Sequence, residues 1–326
     1  MPWPRGRIPS PAAVGSGASA SALEPTFPLI ARHRVLGAAF GGLRSGRRGF
    51  GSDVVGSRLY RPGDTVHAID WGASARLSAA SGSDEFVVRE RFAEEAPRVI
   101  LLLDRRPAMA LYPAPWPWLD KAAAQRAAAR LVVESGLHSH GLVGAFELGG
   151  DGPRWVSPQA RAGRWLLDSG PLADAPFDAR ESAASALEHL WAWHRRAVPP
   201  GSFVFVCSDF LSPPREELWL LALEQRWDVV PVVIQDPVWE AGFPDISGVT
   251  MPFSDPQTGA IVEARLSRRE ARERRRANEE RRETLVRTLG RLGLDPVILS
   301  SADPQDVLAA FTIWAELRQF AEAGRS

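Results

Sequence analysis

The chain has 326 residues with 39 basic and 39 acidic side chains, a formal net charge of zero, and the basic set is lopsided: Lys121 is the sole lysine and the rest are arginines. That length allows roughly two domains at ~150 residues each, and an apolar fraction of 45% with 24% charged residues is ordinary for a globular chain with a sizeable core. Zero net charge argues against a whole-protein polyanion binder, the single cysteine, Cys207, excludes an internal disulfide framework and a cysteine-built zinc site, and no apolar run approaches the ~20 residues of a membrane span or the apolar region of a signal peptide, so a cytoplasmic protein is expected.

Residues 1–45 are rich in Gly, Ala, Ser and Pro, and up to Arg48 they carry seven arginines against the single acid Glu24. Such a segment buries little and is expected to be a disordered basic tail, at least to Pro25. Residues 46–97 change character: Val54 to Tyr60 predicts a strand, Pro62-Gly63-Asp64 a turn, and Glu85 to Phe92 a second strand, together a small β-rich unit. Residues 98–326 then alternate. Val99 to Leu103 is a continuous branched apolar run ending in Asp104, the pattern of a strand buried on both faces. An alanine-rich helix follows over Leu119 to Ser135, then a strand over Leu142 to Leu148 and helices near Ala160 to Asp168 and Glu181 to His194. Phe203 to Cys207 is a second fully apolar strand, ending in Ser208-Asp209. A helix near Pro214 to Gln225, a strand at Val229 to Ile234, a long charged helix from Ser267 to Leu292, a strand at Pro296 to Ser300 and a helix from Asp303 to Ala323 complete the series. This alternation predicts an α/β fold with a doubly wound, mostly parallel sheet.

Several enzyme signatures are absent. No glycine-rich loop precedes Lys121, so there is no Walker A phosphate cradle, and neither a G-x-S-x-G elbow nor an H-E-x-x-H pair occurs. His138 and His140 lack nearby acidic or cysteine ligands, and Cys207, at the end of a buried strand, reads as an inert core thiol. What remains is a pair of carboxylates. Asp104 and Asp209 each end an apolar strand, and in an open parallel sheet the carboxyl ends of the strands form the ligand crevice. Two acids there suit either a divalent cation with oxygen ligands or capping of the helices that follow. Between Arg265 and Arg287, ten arginines face five glutamates, a local charge of +5. Glu270 to Arg274 and Glu283 to Arg287 are favourable i,i+4 pairs. With Leu285, Val286, Leu289 and Leu292 as its only apolar stripe, the first half of that helix is expected to project into solvent or meet an acidic partner.

The combination Arg58-x-Tyr60-x-Pro62-Gly63-Asp64, Ile69-Asp70-Trp71-x-Ala73-Ser74-Ala75-Arg76, Glu94 and a strand ending at Asp104 resembles the bacterial family of domain of unknown function 58, as does F-V-F-V-C-S-D-F over Phe203 to Phe210. The resemblance implies a von Willebrand factor A-like fold and a non-enzymatic interaction module that works with a MoxR-type AAA+ ATPase in chaperone-like maturation or assembly of other proteins, the client being undefined. It implies a metal-ion-dependent adhesion site of the form Asp-x-Ser-x-Ser, with a further ligand near Glu181 or Ser182. Here Asp104 stays and Asp209 matches the later acid, but Arg106 and Ala108 replace both serines, and His67 stands where an arginine is usual. A guanidinium at the cation position points to Arg106 or Arg105 pairing with Asp104 or Asp209. The site is then expected to hold no metal or other cofactor, and Asp104, Arg105, Arg106, Ser208 and Asp209 to form a partner-binding edge. The family motif residues Arg58, Tyr60, Gly63, Asp64, Asp70, Trp71 and Arg76 read as structural or contact residues: Asp64, Asp70 and Arg76 pinning the β unit to the sheet, and Trp71 burying a large apolar area. Two other functions compete: a metal-assisted hydrolase using Asp104 and Asp209, and nucleic-acid binding through the Arg265 to Arg291 helix. Arg106 would repel the cation of the first, and the five glutamates dilute the patch of the second, so neither is the expectation.

Overall fold

The computed structural model describes residues 25–32, 43–60, 69–82, 85–110, 118–160, 165–166, 176–254 and 260–323, with 43–58, 89–95 and 322 described by backbone alone. Strand β1 (Leu43–Leu59) pairs antiparallel with β2 (Val87–Glu95), and the pairing is interrupted by register shifts. Between them lies helix α1 (Trp71–Ser81), and an isolated bridge joins Ile69 to Val88. The turn at Pro62-Gly63-Asp64 lies outside the described residues.

The main sheet has the order β10-β7-β6-β3-β4-β5. Its parallel members are β3 (Arg98–Leu103), β4 (Leu142–Gly149), β6 (Phe203–Ser208), β7 (Asp228–Ile234) and β10 (Val297–Leu299). The edge strand β5 (Gly152–Gln159) runs antiparallel to β4. The chain moves from β3 outward to β4 and β5, then returns to β6 on the other side and moves outward to β7 and β10. The order of winding therefore reverses between β3 and β6, the switch point of a doubly wound sheet.

Both faces of the sheet are covered. Along β3, Val99, Leu101 and Leu103 enter one core while Ile100 and Leu102 enter the other, as the two-residue period of a strand requires. The first core is closed by α2 (Lys121–His138) and α6 (Pro304–Ala323). The second is closed by α3 (Ala183–His189, continuing as a π turn over Leu190–His194), α4 (Glu216–Glu224) and the C-terminal half of α5 (Arg268–Arg291). Gly136 permits close approach of α2: a Cβ there would lie 2.9 Å from the Val143 side chain on β4.

Two expectations change here. Residues 25–32 are not part of a disordered tail. Phe27 and Leu29 are buried in the first core, with Phe27 against Phe311 and Trp314 of α6. The Phe27 N–H donates to Ser135 Oγ on α2, and the Arg32 N–H donates to Asp228. Arg318 of α6 grips both carboxylate oxygens of Asp228 at 2.8 and 2.9 Å and donates to the Ile30 carbonyl. Alternating apolar residues were enough to seat this short segment, despite its low-complexity surroundings.

The first half of α5 likewise does not simply project into solvent. It packs against a hairpin, β8 (Thr250–Ser254) with β9 (Ile261–Arg265), and the loop before it. Arg274 stacks over Phe253 and Phe243 at 4.8 and 5.8 Å. Arg275, Asn278 and Arg281 donate to the carbonyls of Phe243, Trp239, Gly242 and Glu240. The Glu270–Arg274 pair does not form, because Glu270 closes a capping box with Ser267; Glu283–Arg287 does form, at 2.6 Å, and Arg269–Glu273 joins it.

Candidate functional site at the sheet switch point

Asp104 and Asp209 stand one residue beyond the ends of β3 and β6, side by side at the switch point, because β3 and β6 pair in register from Val99↔Phe203 to Leu103↔Cys207. Neither acid caps a helix. Asp104 Oδ1 accepts from the Arg106 N–H at 3.0 Å and Asp209 Oδ1 from the Leu211 N–H at 3.1 Å, each closing a local Asx turn two residues on. Ser208 orders the same corner: its Oγ donates to Asp104 Oδ2 at 2.6 Å and accepts from the Phe210 N–H. The corner holds Phe210 at φ 49°, a left-handed conformation secured by burial of its ring against Trp219.

Arg106 joins the two carboxylates. Its Nη2 lies 2.5 Å from Asp104 Oδ2 and 3.0 Å from Asp209 Oδ1, and its Nε lies 3.0 and 3.1 Å from the two Asp104 oxygens. Arg105 turns elsewhere: its Nε donates to Glu147 on β4 at 2.6 Å, its Nη1 to Gln125, and its guanidinium lies over Phe177. Of the five residues expected at this edge, four meet in one cluster and Arg105 belongs to a neighbouring buried pair. All five are nearly excluded from solvent, none more than 5% exposed.

A second cation, which no motif in the sequence marks, completes the cluster. Lys121 is the first residue of α2, positioned by Asp120, whose side chain caps that helix by accepting from the Ala123 N–H. Its Nζ donates to Asp209 Oδ2 at 3.2 Å and to Glu240 Oε1 at 2.5 Å. Four residues on, Gln125 donates to the Asp104 and Cys207 carbonyls, and Gln235, just past β7, donates to the Asp209 carbonyl. Asp236 accepts from the Leu119, Val238 and Trp239 N–H groups, fixing the loop that carries Glu240. The available signal was a lone lysine at a helix start.

The charges perturb one another. Burial opposes the charges on Arg106 and Lys121, but the facing carboxylates more than offset it and both bases hold their protons more tightly than usual. Burial alone would raise Asp209, yet Lys121 and Arg106 outweigh it and keep its carboxyl below the usual range. At Glu240 burial wins over Lys121, so that carboxyl titrates above the usual range. Burial pushes the Cys207 thiol up to about 12, which removes it as a nucleophile.

The donor set does not fit a metal ion. All four carboxylate oxygens of Asp104 and Asp209 already accept from a protein donor, and a guanidinium occupies the space between them. Among the described residues no three His, Cys, Asp or Glu side chains converge on one point.

The family motif has a different aspect. Asp70 caps α1 by accepting from the Ala73 N–H, an interaction within the small unit. Arg76 is exposed on α1. Trp71 does not bury a large area: it is 60% exposed and meets Phe86 edge-on, as does Tyr60. Gly63 and Asp64 lie outside the described residues, as do the side chains of Arg58 and Glu94.

Uncharacterized proteins of Mycobacterium bovis and of two strains of Mycobacterium tuberculosis are each 27% identical to the chain over 266 residues, covering 80% of this chain and 78% of theirs. Among solved structures, an aerotolerance-related membrane protein from Bacteroides fragilis aligns at 15% identity and TM-score 0.31 over 60% of this chain and 99% of its own. The pilus adhesin SpaC from Lactobacillus rhamnosus GG aligns at 12% identity and TM-score 0.33 over 69% of this chain and 30% of its own. No helix among the described residues is long and apolar enough to cross a membrane. Residues 56–284, which contain Tyr60, Trp71 and the whole switch-point cluster, match the sequence model described as "Protein of unknown function DUF58", and the chain belongs to that family.

Proposed function

We propose that the chain is a von Willebrand factor A-like interaction module without catalytic activity, which works in the cytoplasm with a MoxR-type AAA+ ATPase in maturing or assembling other proteins. The observation that carries this reading is that the switch-point crevice, where an open α/β sheet takes its ligand, is filled by the chain's own Arg106 and Lys121. Its acids are paired and its thiol is inert. The sheet order, with one antiparallel edge strand beyond β4, supports the fold assignment. Leu59, Tyr60, Trp71 and Phe86 give the family-specific unit an exposed apolar surface of the composition that protein contacts favour.

The test is co-purification from the native host of tagged wild type, Asp104→Ala and Trp71→Ala. A MoxR-type ATPase retained by wild type and reduced in Trp71→Ala is expected; its absence from the wild-type eluate overturns the partnership. Magnesium-dependent turnover of a phosphoester would favour the hydrolase instead, and steeply salt-dependent retention of DNA or RNA would favour the basic helix.

A further inference from the structure

One nitrogen, Arg106 Nη2, touches one oxygen from each of the two carboxylates, at 2.5 and 3.0 Å. A bridging metal ion would occupy that place, because two buried carboxylates so close cannot both remain ionised without a positive charge between them. The remaining oxygens are also served: Asp104 Oδ1 by the Arg106 N–H and Nε, and Asp209 Oδ2 by Lys121. The guanidinium is tethered two residues from Asp104, so it cannot diffuse away as an ion can.

We infer that Arg106 is a covalently attached substitute for a divalent cation, and that the Asp104–Asp209 edge is thereby fixed in its cation-filled state. Chelators then leave the edge unchanged, and no rise or fall in divalent ion concentration switches it. The inference concerns the charge at this position and does not depend on which partner the module binds.

Thermal melting of the full chain tests it, with wild type, Arg106→Ser, Arg106→Lys and Arg106→Ser/Asp209→Asn compared in EDTA and in rising Mn2+. Wild type is expected to melt at the same temperature throughout. Arg106→Ser is expected to melt lower in EDTA and to recover in proportion to the logarithm of the Mn2+ concentration, as a ligand of the native state requires. The double variant should lose that recovery. A wild-type midpoint that climbs with Mn2+ as far as that of Arg106→Ser overturns the inference, and so does an Arg106→Ser midpoint indifferent to Mn2+. Should Arg106→Ser fail to fold in either condition, Arg106→Lys decides: metal-free folding with a compact cation supports the claim, and failure contradicts it.

Discussion

Lys121→Met removes one positive charge from a cluster in which that charge serves two acids. The ammonium lies 3.2 Å from Asp209 and 2.5 Å from Glu240, with side-chain exposures of 9%, 0% and 17% respectively. Removing one partner of a buried ion pair costs about 3–5 kcal/mol. Arg106 still offsets Asp209, and Glu240 has some access to solvent, which places the loss at about 3 kcal/mol, near the bottom of that range. At about 2–4 °C per kcal/mol for a domain of this size, the melting midpoint falls by about 6–12 °C. The loss depends on pH, and its sign follows from the groups involved. Lys121 has a raised pKa, so its stabilisation is complete below its unfolded value and is lost only as the pH rises through the folded value. Between about pH 5 and pH 8 the wild-type ammonium is therefore constant, and Glu240 sets the slope. Without Lys121 that carboxyl is harder to ionise, so the deficit is largest at about pH 8 and shrinks towards pH 5 as Glu240 takes a proton. Urea unfolding at both pH values measures this, and Glu240→Gln added to Lys121→Met should recover much of the loss. A deficit below about 1 kcal/mol at pH 8, within the range of an exposed pair, or one equal at both pH values, refutes the reasoning.

Glu240→Gln alone mimics the protonated acid. In wild type the raised carboxyl stabilises the fold most below its ordinary value of 4.5 and loses that contribution as the pH rises from there through the folded value, so the variant should show a flatter decline in stability across that interval; an unchanged slope in urea melts from about pH 4 to pH 8 would contradict this. Phe27→Ala opens a cavity between α2 and α6 and should cost about 3–5 kcal/mol; a loss of a few tenths in chemical denaturation would mean that residues 25–32 contribute little to the core. Trp71→Ala removes an exposed ring, so its unfolding free energy in urea should stay within about 0.5 kcal/mol of wild type while ATPase binding weakens; the reverse pattern would return the motif to a structural role. Cys207 should resist a thiol reagent in the folded chain at about pH 8 and react fully in urea; rapid native labelling would mean the strand end is open.

The parallel strands were legible because β3, β6 and β7 are apolar on both faces, and such runs have few other destinations in a globular chain. The edges were not. Strand β5 carries Pro153, Arg154 and Gln159 and is only half-buried, while β9 exposes Ile261 and Val262, so neither shows a clean two-residue alternation. Asp104 and Asp209 could be placed together because strand ends are ordered by topology, and Arg106 because it lies two residues from one of them. Lys121 and Glu240 reach the cluster from a helix start and from a loop beyond β7, and their convergence depends on side-chain reach across 119 positions of sequence. The motif around Trp71 reads as a buried anchor because tryptophan is usually largely buried, whereas Trp71 is 60% exposed, a property of the fold around it that residue type does not carry.

The most direct measurement is a crystal structure of the wild-type chain grown in Mn2+, with anomalous scattering recorded at the manganese edge. No anomalous peak is expected between Asp104 and Asp209, with the Arg106 guanidinium in contact with both. A manganese ion bridging the two carboxylates, with Arg106 displaced, would contradict it.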